Sequence, residues 1–242
     1  PECGFAQRER VGMALRRLER LQETEQEDDG VVLVDPVNLT EWSLAWRADT
    51  LDPELVAVLL LVVASPANRD AMALQYAFGR SVGEKAFAVN LVFAAAQRAT
   101  GLSMDEIVAA QMAASRGASD SDMIGDLMMG HSPDRPSVDR VERAIALLRM
   151  CTSLAPRRSR PAPLCMLAWL SWSMGRGSAA GLFLDAALSI DPGYGMARVL
   201  TTMLGTGLLP EWAFHSSAAA SADTVSADTD SAVSYTHLTL PT

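Results

Sequence analysis

Histidine and cysteine are both scarce in this chain, three of each in 242 residues. His215 and His237 lie in or beside the C-terminal tail, which leaves His131 alone in a loop, and no Cys or His pair has the spacing of a zinc site. There is no G-x-S-x-G, no Walker loop and no H-E-x-x-H, so the sequence names no reaction and assigns no catalytic, cofactor-binding or metal-binding residue. An odd number of widely spaced cysteines, Cys3, Cys151 and Cys165, does not make a disulfide framework and fits the reduced thiols of a cytoplasmic protein. The longest apolar run, Leu55 to Ala64, falls well short of the roughly 18 residues of a membrane span and is expected to be a buried helix. No signal peptide is expected in this stretch. Excess basic charge is missing too. A net charge of -9 and a pI near 4.8 argue against nucleic acid as a partner, because phosphate binding needs a basic face.

What the chain does have is helical periodicity. The stretch Pro163 to Trp212 specifies structure most clearly. Its first run, Leu164 to Met174, carries Leu164, Leu167, Ala168, Ser171 and Trp172 at spacings of three and four, and Gly175-Arg176-Gly177 stops it. A second run, Ser178 to Ile190, puts Ala180, Leu184, Ala187 and Leu188 on one face and ends at Asp191-Pro192, since proline cannot continue a helix. A third helix follows. Gly175, Ala180, Ala187 and Pro192 stand at spacings that resemble one tetratricopeptide repeat, in a single copy. Gly175-Arg176-Gly177-Ser178-Ala179-Ala180 also fits the dinucleotide fingerprint on letters alone, but that fingerprint needs a preceding strand and the run before it has helical period.

Upstream, Phe5 to Glu27 reads as a helix with Val11, Leu15, Leu18 and Leu21 as its apolar stripe. Val31 to Val34 is a strand-like tetrad, read as an extended connector in preference to an edge strand, and Asp35-Pro36 stops it. Leu39 to Asp49 is the next expected helix, with Trp42 and Trp46 at i and i+4 on one face; core packing is favoured over a binding platform. Asp52-Pro53 and Ser65-Pro66 each open a helix, the second running from Ala67 to Phe78 and carrying Arg69 and Asp70 near its start. That Arg-Asp pair either anchors a helix junction or lines a pocket, and anchoring is favoured because burying either charge alone is costly. Ser81 to Thr100 is apolar almost all round and is expected to be a central helix. A capping box at Ser103 to Glu106 opens a helix to about Ser115.

Residues 116 to 137 form a Gly-, Ser- and Pro-containing interval with a short helix, Asp120 to Met129, inside it. Val138 to Leu154 is then a clean amphipathic helix. It leads into Pro156-Arg157-Arg158-Ser159-Arg160-Pro161, whose basic side chains suit the end of a helix dipole better than an anion site. The order Asn68-Arg69-Asp70-Ala71-Met72, this Arg-rich linker into Pro161-Ala162-Pro163, Leu167-Ala168-Trp169, and Asp185 to Tyr194 through Leu208-Leu209-Pro210 resembles the C-terminal half of an actinobacterial family, domain of unknown function 4192. The resemblance extends over about residues 38 to 214. It implies a helical C-terminal region that in full-length members follows an N-terminal part largely absent here. No activity and no catalytic residue come with it.

Beyond Trp212 the composition turns to Ala, Ser, Thr and Asp, and Ser216 to Ser231 is expected to be disordered. Val233 to Thr242 resembles translated adapter read-through, and the chain starts at Pro1 without a methionine, so truncation at both ends is expected. The layout that follows is an N-terminal helix and connector over 1–37, an all-α domain over 38–214, and a tail over 215–242. That domain is read as a multi-helix, solenoid-like array ending in the tetratricopeptide-like hairpin plus one helix. Two functions fit. One is a protein-interaction or scaffolding module, with Trp42, Trp46, Arg157, Arg158 and Arg160 as candidate partner surface and Arg69 and Asp70 as a structural pair. The other is a non-catalytic accessory domain of an enzyme whose active part precedes Pro1. The partner expected of the interaction module is another protein, with neither nucleic acid nor membrane expected. Nothing in the sequence specifies an oligomeric state.

Overall fold

The structure, a computed structural model, describes residues 3–25, 34–46, 51–102, 106 and 119–214. Ten helices account for most of these residues, and among them there is no strand. The helices are α1 (Cys3–Glu25), α2 (Pro36–Leu44), α3 (Pro53–Ala64), α4 (Pro66–Phe78), α5 (Arg80–Thr100), α6 (Asp120–Met129), α7 (Val138–Leu154), α8 (Pro161–Ser173), α9 (Gly177–Leu188) and α10 (Gly195–Gly205). Single 3-10 turns occupy Arg157–Ser159 and Glu211–Ala213. The chain is all-α. Outside the described residues lie most of the Val31–Val34 tetrad, almost all of the capping-box helix expected after Gly101, and the tail from His215 onward.

Helix α8 is the centre. All thirteen of its residues are buried, with α9 packed along it and α4, α7 and α10 against its other sides. The pattern that produces this is a helix with no polar face, flanked by prolines that start it and by Gly175, whose φ of +74° turns the chain back into α9. Ala180 and Ala187 are fully buried where α9 meets α8, so the two axes approach closely. The letters that match a dinucleotide fingerprint lie in this helix-to-helix turn, with α8 and not a strand before them.

Aromatic rings fix the lower end of α8. Trp169 donates through Nε1 to the Met128 carbonyl at 2.9 Å, Trp172 to Leu208 at 2.8 Å, and Trp212 back to Ser173 at 2.8 Å. Phe78, Trp212 and Trp172 meet edge to face, with ring centroids 5.5 and 6.1 Å apart. Each buried indole N–H therefore has a partner, and the three bonds tie α6 and the segment after α10 to α8.

Helices α1 to α4 form the other half. Val11 and Leu15 of α1 pack on α3 and join the same core as α4, α7 and α8. α3 and α4 meet at 111° across Ser65. Asp35 caps α2 by accepting from the Val37 N–H at 2.9 Å, with Pro36 at the first helical position. The α2 helix thus begins and ends earlier than its sequence suggests, and Asp35-Pro36, read as a stop, is a start. A partly buried polar network joins α2, α4 and α7. Arg140 forks onto Glu41 at 2.6 and 3.0 Å and onto the Gln75 carbonyl, while the Gln75 amide donates to Glu41 and to the Val37 carbonyl.

The expectation of a central α5 is overturned. Only Gly83 and Ala86 are buried in it, and Leu91 and Val92 are 68% and 63% exposed. Its N-terminal half packs on α4, α2 and α6, and the second half has a solvent-facing side.

Candidate functional site

A cavity of about 300 Å³ opens where α1, α3, the Arg157–Ser159 turn, the start of α8 and the loop from α9 to α10 converge. Its apolar walls come from Leu15, Leu60, Leu61, Ala64, Pro161 and Ala162. The polar groups are Glu19, Arg158, Ser159, Asp191 and Tyr194. Arg158 and Glu19 bond across it at 2.6 Å, both exposed, so the pair contributes little to stability and marks the mouth. Asp191 Oδ1 accepts from the Gly193 N–H at 2.9 Å and shapes the loop that presents Tyr194.

Tyr194 links the cavity to the Arg69–Asp70 pair. Arg69, only 6% exposed, donates through Nε to Asp70 at 2.8 Å and through Nη1 to the Tyr194 hydroxyl at 2.8 Å, with its guanidinium 5.6 Å from the ring centroid. Burial works against the Arg69 charge, but the Asp70 carboxylate more than offsets this and the pKa is raised. The Tyr194 phenol is pushed up by burial, so it stays protonated near neutral pH. Because its oxygen accepts from Arg69, its own O–H points elsewhere as a donor. Arg69 and Asp70 do not line the cavity themselves; they hold one of its walls from behind.

The three linker arginines have separate jobs. Arg157 bonds the Ser189 carbonyl at the end of α9, and Arg160 bonds the Ala155 carbonyl at the end of α7, which satisfies carbonyls that a helix leaves unpaired. Only Arg158 reaches the cavity. The two tryptophans separate as well. Trp46 lies beyond the end of α2 and packs partly on the core, whereas Trp42 is 61% exposed, which corrects the expectation that both indoles are core residues. α2 is too short to carry both on one face. Neither lines the cavity. Tyr194 and Asp191 were missed as site residues, although both stand in the Asp191-Pro192-Gly193-Tyr194 motif that carries the family resemblance.

No group of three or more His, Cys, Asp or Glu among the described residues is placed to hold a metal ion. No single described helix is long and apolar enough to cross a membrane. A family model matches residues 88–211, slightly more than half of the chain. The chain belongs to the family described as domain of unknown function DUF4192. The matched span starts inside α5 and ends at Glu211, narrower than the 38–214 of the sequence resemblance, so the Arg69–Asp70 motif lies outside it. Six cavity residues, from Arg158 to Tyr194, fall inside the DUF4192 span, while the five from α1 and α3 precede it. No curated protein and no solved structure matches the chain significantly.

Proposed function

We propose that this DUF4192 chain is a protein-interaction module of the actinobacterial cytoplasm, and that the cavity between α1, α3 and the α9–α10 loop receives a segment of its partner. The observation that carries the reading is the cavity itself: an apolar depression with a few convergent polar groups, at the junction of two helical layers. The α8–α9 hairpin, with Gly175 at its turn and Ala180 and Ala187 at its contact, supports a tetratricopeptide-like helical scaffold, a kind that commonly presents such grooves. Free, buried Cys151 and Cys165 suit a reducing compartment. The net charge of -9 favours a protein over a nucleic acid as partner.

Ala64 is exposed at the cavity wall, so Ala64→Trp fills the space without disturbing the core. Affinity capture from an actinobacterial extract, run in parallel with the wild-type chain and Ala64→Trp, tests the reading. A partner retained by the wild type and lost with tryptophan supports it. Equal retention by both chains, or none by either, overturns it.

A further inference from the structure

We infer that the segment received by this cavity is cationic, an apolar side chain flanked by lysine or arginine; the inference rests on the cavity being a partner site. The walls take the apolar group, because Leu15, Leu60 and Ala162 are held in the core and cannot close over the space. The charge at the rim is what specifies the neighbour. Arg158 is neutralised by Glu19, which leaves Asp191 as the uncompensated charge of the cavity lining. Asp191 keeps one oxygen on the Gly193 N–H, and its carboxylate remains an acceptor for an incoming ammonium or guanidinium. The adjoining groove, lined by Glu19, Gln22, Glu23 and Arg158, adds Glu23, a second carboxylate with no ion-pair partner among the described residues. A partner carboxylate would meet repulsion at Asp191 and at Glu23. The Tyr194 O–H then serves a backbone carbonyl of the bound segment, since a donor is what it offers.

The test uses the full chain and three fluorescein-labelled amphipathic dodecapeptides with identical Leu and Ala positions and with Lys, Gln or Glu at every polar position. Binding is read by fluorescence anisotropy against the wild type, Asp191→Asn and Ala64→Trp. Asparagine keeps the acceptor for the Gly193 N–H and removes the charge, so Asp191→Asn leaves the loop intact. The Lys peptide is expected to bind at least ten-fold tighter than the Glu peptide, to lose about 3- to 10-fold on Asp191→Asn, and to lose its measurable affinity on Ala64→Trp. The tryptophan variant is essential because a chain of net charge -9 attracts any polycation at its surface. Equal binding of all three peptides, each abolished by Ala64→Trp, overturns the cationic inference and leaves the cavity reading standing. Binding insensitive to Ala64→Trp, or no binding of any peptide, overturns both.

Discussion

Gly130 sits directly under Trp172: a methyl group at position 130 would lie 2.6 Å from Trp172 Cη2 and 3.0 Å from Pro210. Gly130 also ends α6 with φ +78°, a conformation that costs an L-residue roughly 1 kcal/mol, and its carbonyl accepts from the Glu211 N–H at 2.8 Å. Gly130→Ala is therefore expected to destabilise the fold by about 2–4 kcal/mol, strain and overpacking together. Chemical denaturation measures it. In a double-mutant cycle with Trp172→Phe the loss should shrink, because the smaller ring vacates the space; strict additivity would show that the two residues do not touch.

The Glu41–Arg140–Gln75 network makes a pH-dependent contribution. The hydrogen bonds from Arg140 hold the Glu41 carboxyl below the ordinary 4.5 against the opposing effect of burial. The folded state therefore releases this proton more readily than the unfolded chain. The stabilisation is complete above the unfolded value and is lost as pH falls through the lower, folded one. Glu41→Gln is expected to cost about 2 kcal/mol at pH 7, since it leaves the largely buried Arg140 without a counter-charge, and the gap from wild type should close below about pH 4. A gap that stays constant from pH 7 to pH 3 would show that the carboxylate charge is not what matters.

Much of the fold was readable in the residues, and the failures have definite causes. Helix α8 announces itself because large apolar residues occupy every side of it, which only a fully buried helix tolerates. Helix α5 looked similar for a poor reason: much of its apolar count is alanine, at positions 86, 88, 94, 95, 96 and 99, and a methyl group provides little driving force for burial. Leu91, Val92 and Phe93 are also consecutive, and at about 100° per residue three neighbours cannot share one narrow face. Asp35-Pro36 looks like a strand stop in the sequence because an apolar tetrad precedes it, but it is an N-cap followed by proline, the same cap that Asp52-Pro53 shows unambiguously. The cavity was beyond reach of local pattern. It is assembled from four stretches, around residues 15–19, 60–64, 158–162 and 191–194, that only long-range packing brings together.

The exposed side of α5 gives a direct check on that correction. Leu91→Lys and Val92→Thr, at 68% and 63% exposure, are expected to change stability by no more than about 0.5 kcal/mol each. Ala86→Lys, at a position 2% exposed, should cost several times as much. Thermal melts of the three variants decide it. A large loss at Leu91 would place α5 back inside a packed layer.

The support of the cavity wall by Arg69 is separable from the cavity itself. Tyr194→Phe removes the 2.8 Å hydrogen bond while keeping the ring, with an expected cost of about 1–2 kcal/mol because the Arg69 donor loses a buried partner. Arg69→Lys should cost at least as much, since an ammonium cannot serve Asp70 and Tyr194 with the same fork. If urea denaturation shows both variants as stable as the wild type, the pair does not hold the loop.

Cys151 and Cys165 provide a probe of the centre of the molecule. Both thiols are fully buried, in α7 and α8, which pack together, and burial pushes each up to about 12. At pH 8 a group with that value is thiolate in only about 1 molecule in 10,000, and the thiolate is the reactive form. In a Cys3→Ser variant, where only these two remain, an aromatic disulfide reagent should modify the native chain orders of magnitude more slowly than free cysteine. Reaction then requires opening of the α7–α8 layer, so the rate should rise with urea in parallel with unfolding and both thiols should react together. One thiol reacting fast under native conditions would mean that its helix face is open to solvent, which the packing of α8 at the centre of the fold does not permit.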